Sequence, residues 1–185
     1  MRITGGDFGG RTLSFPSGSK ERPTSDFLRE TLFNLLGSLT GKTFLDLFAG
    51  SGSVGLEAAS RGAREVCLIE KNKKLVKVIN KNIQTCSLEQ KFRVIGADVE
   101  IGLREFAKKN YQADVVFADP PYNRNLVGVT LKSLGKYRVL TKGGVIVIQH
   151  STKENYSDFL TENICQVQQR KYGENVLTFF KGEWK

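Results

Sequence analysis

Apolar residues along most of the chain alternate between two spacings, one typical of buried strands and one typical of amphipathic helices. Short apolar runs predict strands, which cover residues 43–48, 66–69, 92–95, 115–118 and 145–149. Between these runs, apolar residues recur every three or four positions and predict helices over residues 54–61, 72–83, 101–109 and 126–138. Such alternation is typical of an α/β fold, a parallel sheet covered by helices on both faces.

The two ends of the chain depart from this alternation. A helix is predicted from Thr24 or Ser25 to about Leu36, because Ser25 suits the N-cap and Gly37 ends the pattern. Its apolar stripe is predicted to be Phe27, Leu28, Thr31, Leu32 and Leu35. At the other end, residues 164–172 and 175–180 predict two strands of a closing hairpin. We therefore expect one domain over 1–185, with an RNA-contacting extension and helix at 1–40 and a catalytic core at 41–185.

The charge of the chain is strongly positive, and this favours a polyanionic partner. The formal net charge is +9, from 28 Lys and Arg against 19 Asp and Glu. A field of this sign attracts nucleic acid, although many soluble proteins are basic without binding it. Residues 71–109 alone hold ten Lys and Arg against four acids. The net charge alone leaves both interpretations open. The lysines of residues 73–81 are typical of a solvated helix face, and the sequence does not assign them to RNA.

Cysteine use and hydropathy indicate the compartment. The three cysteines, Cys67, Cys86 and Cys165, are far apart and show no metal-ligand spacing. No apolar run approaches the length of a membrane span, and the opening residues have no apolar core of the signal-peptide kind. We expect a cytoplasmic protein with no membrane or metal partner.

A glycine-rich segment follows the first predicted strand. Gly50, Gly52 and Gly55 match the spacing G-x-G-x-x-G, and Glu70 ends the next strand twenty residues after Gly50. Glycines at such a turn let the backbone approach a ligand, and the acid is placed to accept hydrogen bonds from ribose hydroxyls. The alternative, a tight turn without a ligand, does not account for the acid at this distance.

Further features favour S-adenosylmethionine over NAD. Asp46 precedes the glycines by four residues and can face a cationic amino group. Asp98 can accept from an adenine amine, although it suits a helix cap equally well. The closing hairpin is foreign to the dinucleotide-binding sheet. Residues 46–52 resemble the cofactor loop of class I methyltransferases, which implies a Rossmann-like, seven-stranded, mostly parallel sheet whose last strand is antiparallel. The candidate cofactor residues are Asp46, Phe48, Gly50, Gly52, Gly55, Glu70, Asp98 and Asp119.

The fourth predicted strand runs into Asp119-Pro120-Pro121-Tyr122. Open α/β sheets bind ligands at this end of their strands. A proline-rich turn would explain Pro120 and Pro121 but leave Asp119 and Tyr122 unexplained. The motif resembles that of amino-methyltransferases, which modify adenine N6, cytosine N4, guanine N2 or a glutamine side chain. Asp119 and an outward backbone carbonyl would grip the amine, and Tyr122 would stack on a base. These four residues are the candidate catalytic set.

The N-terminal segment separates these targets. Residues 1–6, 10–11, 22–26 and 29–36 resemble the bacterial 16S rRNA guanine-N2 methyltransferase family, the RsmD-like enzymes. The resemblance spans the whole chain and implies guanine 966 of 16S rRNA, in the small subunit or an assembly intermediate, as the target. It departs from the family at Gln149, where Glu is usual, and at Ser53, where a small apolar residue is usual.

We expect a monomer that contacts RNA through the arginines of the extension, which are Arg2, Arg11, Arg22 and Arg29. His150, the single histidine, is expected to be structural rather than an RNA contact. Two alternatives remain, another nucleic-acid or protein amino-methyltransferase and a non-catalytic rRNA-binding assembly factor. The intact glycine loop and catalytic motif argue against the second.

Overall fold

A computed structural model describes residues 1–15, 25–122 and 125–184 of the chain, which divides into two compact units, Met1–Asp98 and Val99–Lys185. The first unit contains α1 (Asp26–Leu36), β1 (Thr43–Asp46), α2 (Ser53–Ser60), β2 (Glu65–Ile69), α3 (Lys73–Thr85) and β3 (Phe92–Ile95). Its strands pair in parallel in the order β3-β2-β1. The carboxyl ends of these three strands therefore meet at one edge of the unit.

The second unit contains α4 (Val99–Lys108), β4 (Ala113–Ala118), α5 (Leu126–Lys136), β5 (Leu140–Ser151), β6 (Ile164–Tyr172) and β7 (Asn175–Gly182). Strands β4 and β5 are parallel, whereas β7 pairs antiparallel with both β5 and β6. The strand order within this unit is β4-β5-β7-β6. The described residues therefore contain the seven strands that the resemblance implies, and the last two form the predicted antiparallel hairpin.

The α/β prediction is confirmed, and most elements lie within a few residues of their predicted bounds. The main difference is β5, which begins at Leu140 rather than at residue 145. Three residues near the start of this strand, Thr141, Lys142 and Gly143, are partly or fully exposed. A strand segment that faces water needs no apolar side chains, so the hydrophobic pattern could not reveal it.

Helix α1 buries a different face from the one its apolar pattern predicts. Ser25 caps it as expected, because its Oγ accepts from the backbone N–H of Leu28 at 3.2 Å. Phe27, however, is 64% exposed and Leu35 is 39% exposed, so the predicted stripe is wrong at both positions. The buried residues are Leu28, Arg29, Leu32 and Phe33. The helix is rotated relative to the prediction because an arginine points inward.

Arg29 is fully buried beside an equally buried carboxylate on α2. Its Nε lies 3.4 Å from Oε2 of Glu57, and its Nη2 donates to Oδ1 of Asp26 at 2.9 Å and to the carbonyl of Arg2. A guanidinium held in this way cannot reach a phosphate. The prediction that Arg29 contacts RNA is therefore wrong, since the side chain is buried and its bonds are made inside the first unit.

Glu57 collects three further donors around the same carboxylate. The backbone N–H and the hydroxyl of Thr4 donate to it at 2.7 and 2.8 Å, and Nε of Arg61 donates at 2.8 Å. Buried charges are tolerated only when they are paired and hydrogen-bonded, as this one is. The N-terminal segment, α1 and α2 are thereby joined at one point inside the first unit.

We predict that Arg29→Ala lowers the free energy of unfolding by about 3 kcal/mol, at the lower end of the range for breaking a buried pair because Arg61 still compensates Glu57. Urea unfolding followed by circular dichroism measures this loss. Arg104→Ala on α4 removes an exposed arginine and should change the stability by no more than about 0.5 kcal/mol. Equal, small losses in both variants would contradict the buried role.

Candidate active site

The turn between β1 and α2 has a backbone that glycine alone adopts without strain. Gly50 and Gly52 have φ values of 57° and 82°, a left-handed conformation that costs other residues about 1–2 kcal/mol. Asp46, at the end of β1, is buried, and its Oδ1 accepts from the backbone N–H of Phe48 at 3.1 Å. The aspartate thus fixes the start of the turn.

Glu70, which follows β2, joins this turn to the start of α3. One carboxylate oxygen accepts from the N–H of Gly50 at 2.9 Å, and the other accepts from the N–H of Asn72 at 2.7 Å. The side chain is largely buried. A carboxylate offers about four acceptor positions, so an acid at this place suits a ligand that carries hydroxyl donors.

The three glycines of the motif have different surroundings. A Cβ built on Gly50 would meet no atom within 4 Å, whereas one on Gly52 would lie 3.3 Å from Cγ1 of Ile79. A Cβ on Gly55 would lie 2.5 Å from Cδ2 of Leu68. Among the three, only Gly50 borders open space where a ligand could approach. Gly52 and Gly55 instead allow the turn and α2 to pack on α3 and β2.

Two further candidates lie at the same edge of the first unit. Phe48, in the turn after β1, is half-buried. Asp98 follows β3, is exposed, and directly precedes α4. The structure thus brings Asp46, Gly50 and Glu70 into one connected turn and places Phe48 and Asp98 at the carboxyl ends of strands in the same unit.

In the second unit, β4 ends at Ala118, and the predicted catalytic tetrapeptide, Asp119–Tyr122, follows it directly. Asp119 is half-buried and Pro120 is buried, whereas Pro121 and Tyr122 are exposed. The hydroxyl of Tyr122 donates to Oδ1 of Asn175 at 2.7 Å. This bond anchors the ring to the first residue of β7 while leaving 38% of the side chain exposed.

Gln149 on β5 is the second partner of this tyrosine. Its Nε2 donates to the Tyr122 hydroxyl at 3.3 Å, which leaves the phenolic proton for Asn175. Glutamate, the residue usual in the family that this chain resembles, could not donate here. Burial raises the pKa of Tyr122, the charge of Asp119 adds to this effect, and the bond from Gln149 opposes it. The phenol therefore stays neutral at physiological pH.

Sequence reasoning did not find Asn175. It follows the hairpin turn and matches no motif, and only the pairing of β5 with β7, which sets Ser151 opposite Asn175, brings it to this end of the sheet. Gln149 was noticed only as a departure from the family pattern.

His150 is a structural residue, as expected. It is almost fully buried, with Nδ1 2.9 Å from the carbonyl of Ser151 and Nε2 2.8 Å from Oγ1 of Thr178. Its ring also meets that of Tyr156 edge-on, with centroids 5.0 Å apart. Burial lowers the pKa of His150 below its ordinary value of 6.5, so the ring is neutral in the folded protein.

We predict a loss of stability in mild acid that depends on His150. Because its folded pKa is depressed, the unfolded chain takes up the proton first as the pH falls through 6.5. The contribution of His150 is therefore complete above that pH and declines below it. Melting temperatures of the wild type and His150→Gln at pH 7.5 and pH 5.5 measure the effect. The wild type should lose more on acidification than the variant, and parallel losses would contradict the assignment.

Three RNA candidates remain, and the described residues include two of them, Arg2 and Arg11. Arg11 is exposed, and its Nη1 donates to the carbonyl of Thr85 at 3.3 Å, at the end of α3. Its guanidinium also lies 5.0 Å from the centroid of the Phe8 ring. Arg2 is exposed as well, whereas Arg22 lies outside the described residues.

No helix within residues 1–15, 25–122 and 125–184 is long and apolar enough to cross a membrane. No three His, Cys, Asp or Glu side chains within them are grouped so that they could hold a metal ion.

The chain superposes on a solved structure entitled "Putative methyltransferase yhhF from Escherichia coli" with a TM-score of 0.85 and 29% identity, over 100% of this chain and 99% of the other. The fold is that of class I methyltransferases. The chain belongs to the family described as conserved hypothetical protein 95, whose sequence model matches residues 1–181.

The chain is also similar in sequence to two curated proteins over most of its length. It is 30% identical to the Bacillus subtilis protein called "Putative rRNA methyltransferase YlbH", over 98% of both chains. It is 38% identical to ribosomal RNA small subunit methyltransferase D of Escherichia coli over 135 residues, which are 72% of this chain and 66% of that protein.

Proposed function

We propose that this chain methylates the exocyclic N2 amine of a guanine in 16S rRNA, at position 966, within the small ribosomal subunit or an assembly intermediate. The observation that carries the proposal is the Asp119–Tyr122 motif at the carboxyl end of a parallel strand. A relative named as an rRNA methyltransferase aligns with nearly the whole chain, which supports rRNA as the substrate. The resemblance of the N-terminal segment supports guanine N2.

The methyl donor is S-adenosylmethionine, which supplies an electrophilic methyl group when it is bound. The open space at Gly50 and the buried carboxylate of Glu70 fit a ligand that carries a ribose. When the cofactor is bound, Glu70 would accept hydrogen bonds from the ribose hydroxyls, Asp46 would balance the charge of the cationic amino group, and Asp98 would accept from the adenine amine. Phe48 contributes an apolar surface to the same site.

We predict that Gly50→Val weakens binding of S-adenosylhomocysteine at least about tenfold, because the new side chain occupies the space at the turn. Calorimetry with the wild type should show one site that is insensitive to a chelator and for which NAD does not compete. Gly143→Val is the matched control, since Gly143 also has a positive φ and open space around its Cβ but lies on β5. Equal affinities in the two variants, or preference for NAD, would reject the site.

The catalytic residues act on the amine. An exocyclic amine is a weak nucleophile because its lone pair is delocalised into the ring. The Asp119 carboxylate accepts a hydrogen bond from one N–H of the amine. A backbone carbonyl of the same segment, which Pro120 and Pro121 keep rigid, accepts a hydrogen bond from the other N–H. The lone pair is thereby directed out of the ring plane, and the negative carboxylate stabilises the positive charge that develops on the nitrogen.

Tyr122 stacks on the target base after the base leaves its helix or loop. The exposed ring, held by Asn175 and Gln149, presents a surface of fixed orientation. Arg11 and Arg22 of the extension contact the phosphates of the RNA. Arg29 has no part in this contact.

We predict that Asp119→Ala slows methyl transfer by one to two decades, because a hydrogen bond to a charged group contributes about 1.5–3 kcal/mol. Single-turnover transfer of tritiated methyl to small subunits that lack the modification measures the rate. Affinity for S-adenosylhomocysteine should stay within a few fold. A wild-type rate in this variant would defeat the proposal.

The same assay separates the ring of Tyr122 from its hydroxyl. Tyr122→Ala should reduce transfer far more than Tyr122→Phe, because the phenylalanine keeps the stacking surface. Asn175→Ala should match the modest effect of Tyr122→Phe, since both remove the 2.7 Å bond that positions the ring. Equal damage from the Phe and Ala variants would instead give the hydroxyl a direct part in the reaction.

A further inference from the structure

We propose that a groove between α3 and β3 binds an unpaired base of the RNA substrate, with the neighbouring phosphates held by the lysines of α3. This inference rests on the proposed function in one respect, that the substrate is RNA. It adds a docking surface to a part of the first unit that carries none of the candidate catalytic or cofactor residues.

The groove has a volume of about 370 Å³, within the range of ligand pockets that starts at roughly 300 Å³. Its apolar part consists of Val76 and Ile83 from α3 and of Phe92 and Val94 from β3. Phe92 and Val94 alternate with an exposed residue along β3, so both side chains lie on the helix-covered face. Phe92 supplies an aromatic ring, the group on which proteins most often stack an unpaired base.

The remaining lining residues are polar and exposed. Asn80 and Gln84 carry amide groups that both donate and accept, and Glu89 accepts only. The edge of a nucleobase likewise presents donors and acceptors side by side. The groove therefore combines the aromatic ring of Phe92 with three hydrogen-bonding side chains. This combination fits a nucleobase better than it fits an apolar side chain of a protein partner.

A row of cations on α3 lies directly beside the groove. Residues three or four apart are neighbours on a helix surface, so Lys73, Lys77 and Lys81 form a row next to that of Val76 and Asn80. All three lysines are exposed, and none forms an ion pair with a residue in the part of the chain that the structure describes.

The charge around the groove is strongly unbalanced. Residues 71–93 contain six lysines and Arg93 against a single acid, Glu89. Arg11, which donates to the carbonyl of Thr85, adds another cation at the end of α3. A base-sized groove beside a line of cations matches a single strand of RNA, in which each base is linked to a phosphate.

Nuclear magnetic resonance on the full chain, without a methyl donor, tests whether a base binds in the groove between α3 and β3. An unstructured hexaribonucleotide should shift the backbone amide signals of residues 76–84 and of Phe92 and Val94. Heparin, a polyanion without bases, should shift the signals of the lysine row and leave those of Phe92 and Val94 in place. The proposal is overturned if the two ligands affect Phe92 and Val94 alike.

The contribution to binding is tested with charge-matched variants. The double variant Lys77→Ala/Lys81→Ala should bind the oligonucleotide at least fivefold more weakly than Lys108→Ala/Lys109→Ala, which removes two exposed lysines at the end of α4. Its plot of log K against log salt should be shallower by about 1.4, or about 0.7 for each lost phosphate contact on a single strand. Gln84→Ala should lower the affinity without changing that slope.

These outcomes separate the groove from the proposed reaction. Binding at the groove by a protein that transfers no methyl group to rRNA would contradict the proposed function and leave the groove standing. Methyl transfer with an unchanged KM for the small subunit in Lys77→Ala/Lys81→Ala, together with oligonucleotide affinity equal to that of the α4 control, would overturn the groove alone.

Discussion

The buried carboxylate of Glu70 is the constraint on which the proposed cofactor site of the first unit depends. It accepts from Gly50 with one oxygen and from Asn72 with the other, so the segments that leave β1 and β2 are held by one side chain. Because these strands are parallel neighbours, their ends are already close, and the carboxylate fixes how the two backbones turn. The left-handed φ values of Gly50 and Gly52 thus occur in a turn that the chain's own hydrogen bonds hold, and this favours a preorganised binding surface.

The same arrangement, a polar side chain that ties two segments together, recurs at the other functional parts. Glu57 holds Thr4 of the extension and Arg29 of α1 against α2, the helix that begins where the glycine turn ends. In the second unit, Asn175 and Gln149 hold the Tyr122 ring from β7 and β5. The exposed ring of Tyr122, which is proposed to stack on a base, is thus supported by hydrogen bonds to two strands, and this favours a preorganised surface.

The sequence could predict the features that depend on local spacing, and it missed those that depend on pairing across the fold. Glu70 and the glycines were recognisable because their separation along the chain is fixed by a strand, a turn and a helix. The buried face of α1 was predicted incorrectly because a hydrophobic pattern places arginine on the exposed face. Only the buried carboxylate of Glu57 on α2 explains why Arg29 points inward. Asn175 and the groove beside Phe92 depend on strand pairing and helix packing that no local pattern encodes.

The proposed function assigns the methyl group to the exocyclic amine of a guanine. To test this assignment, the protein is incubated with tritiated S-adenosylmethionine and small subunits that lack the modification, followed by digestion and separation of the nucleosides. We expect the label to co-elute with N2-methylguanosine, at no more than one methyl group per particle. Label in N6-methyladenosine, in another nucleoside or in the protein fraction would contradict it.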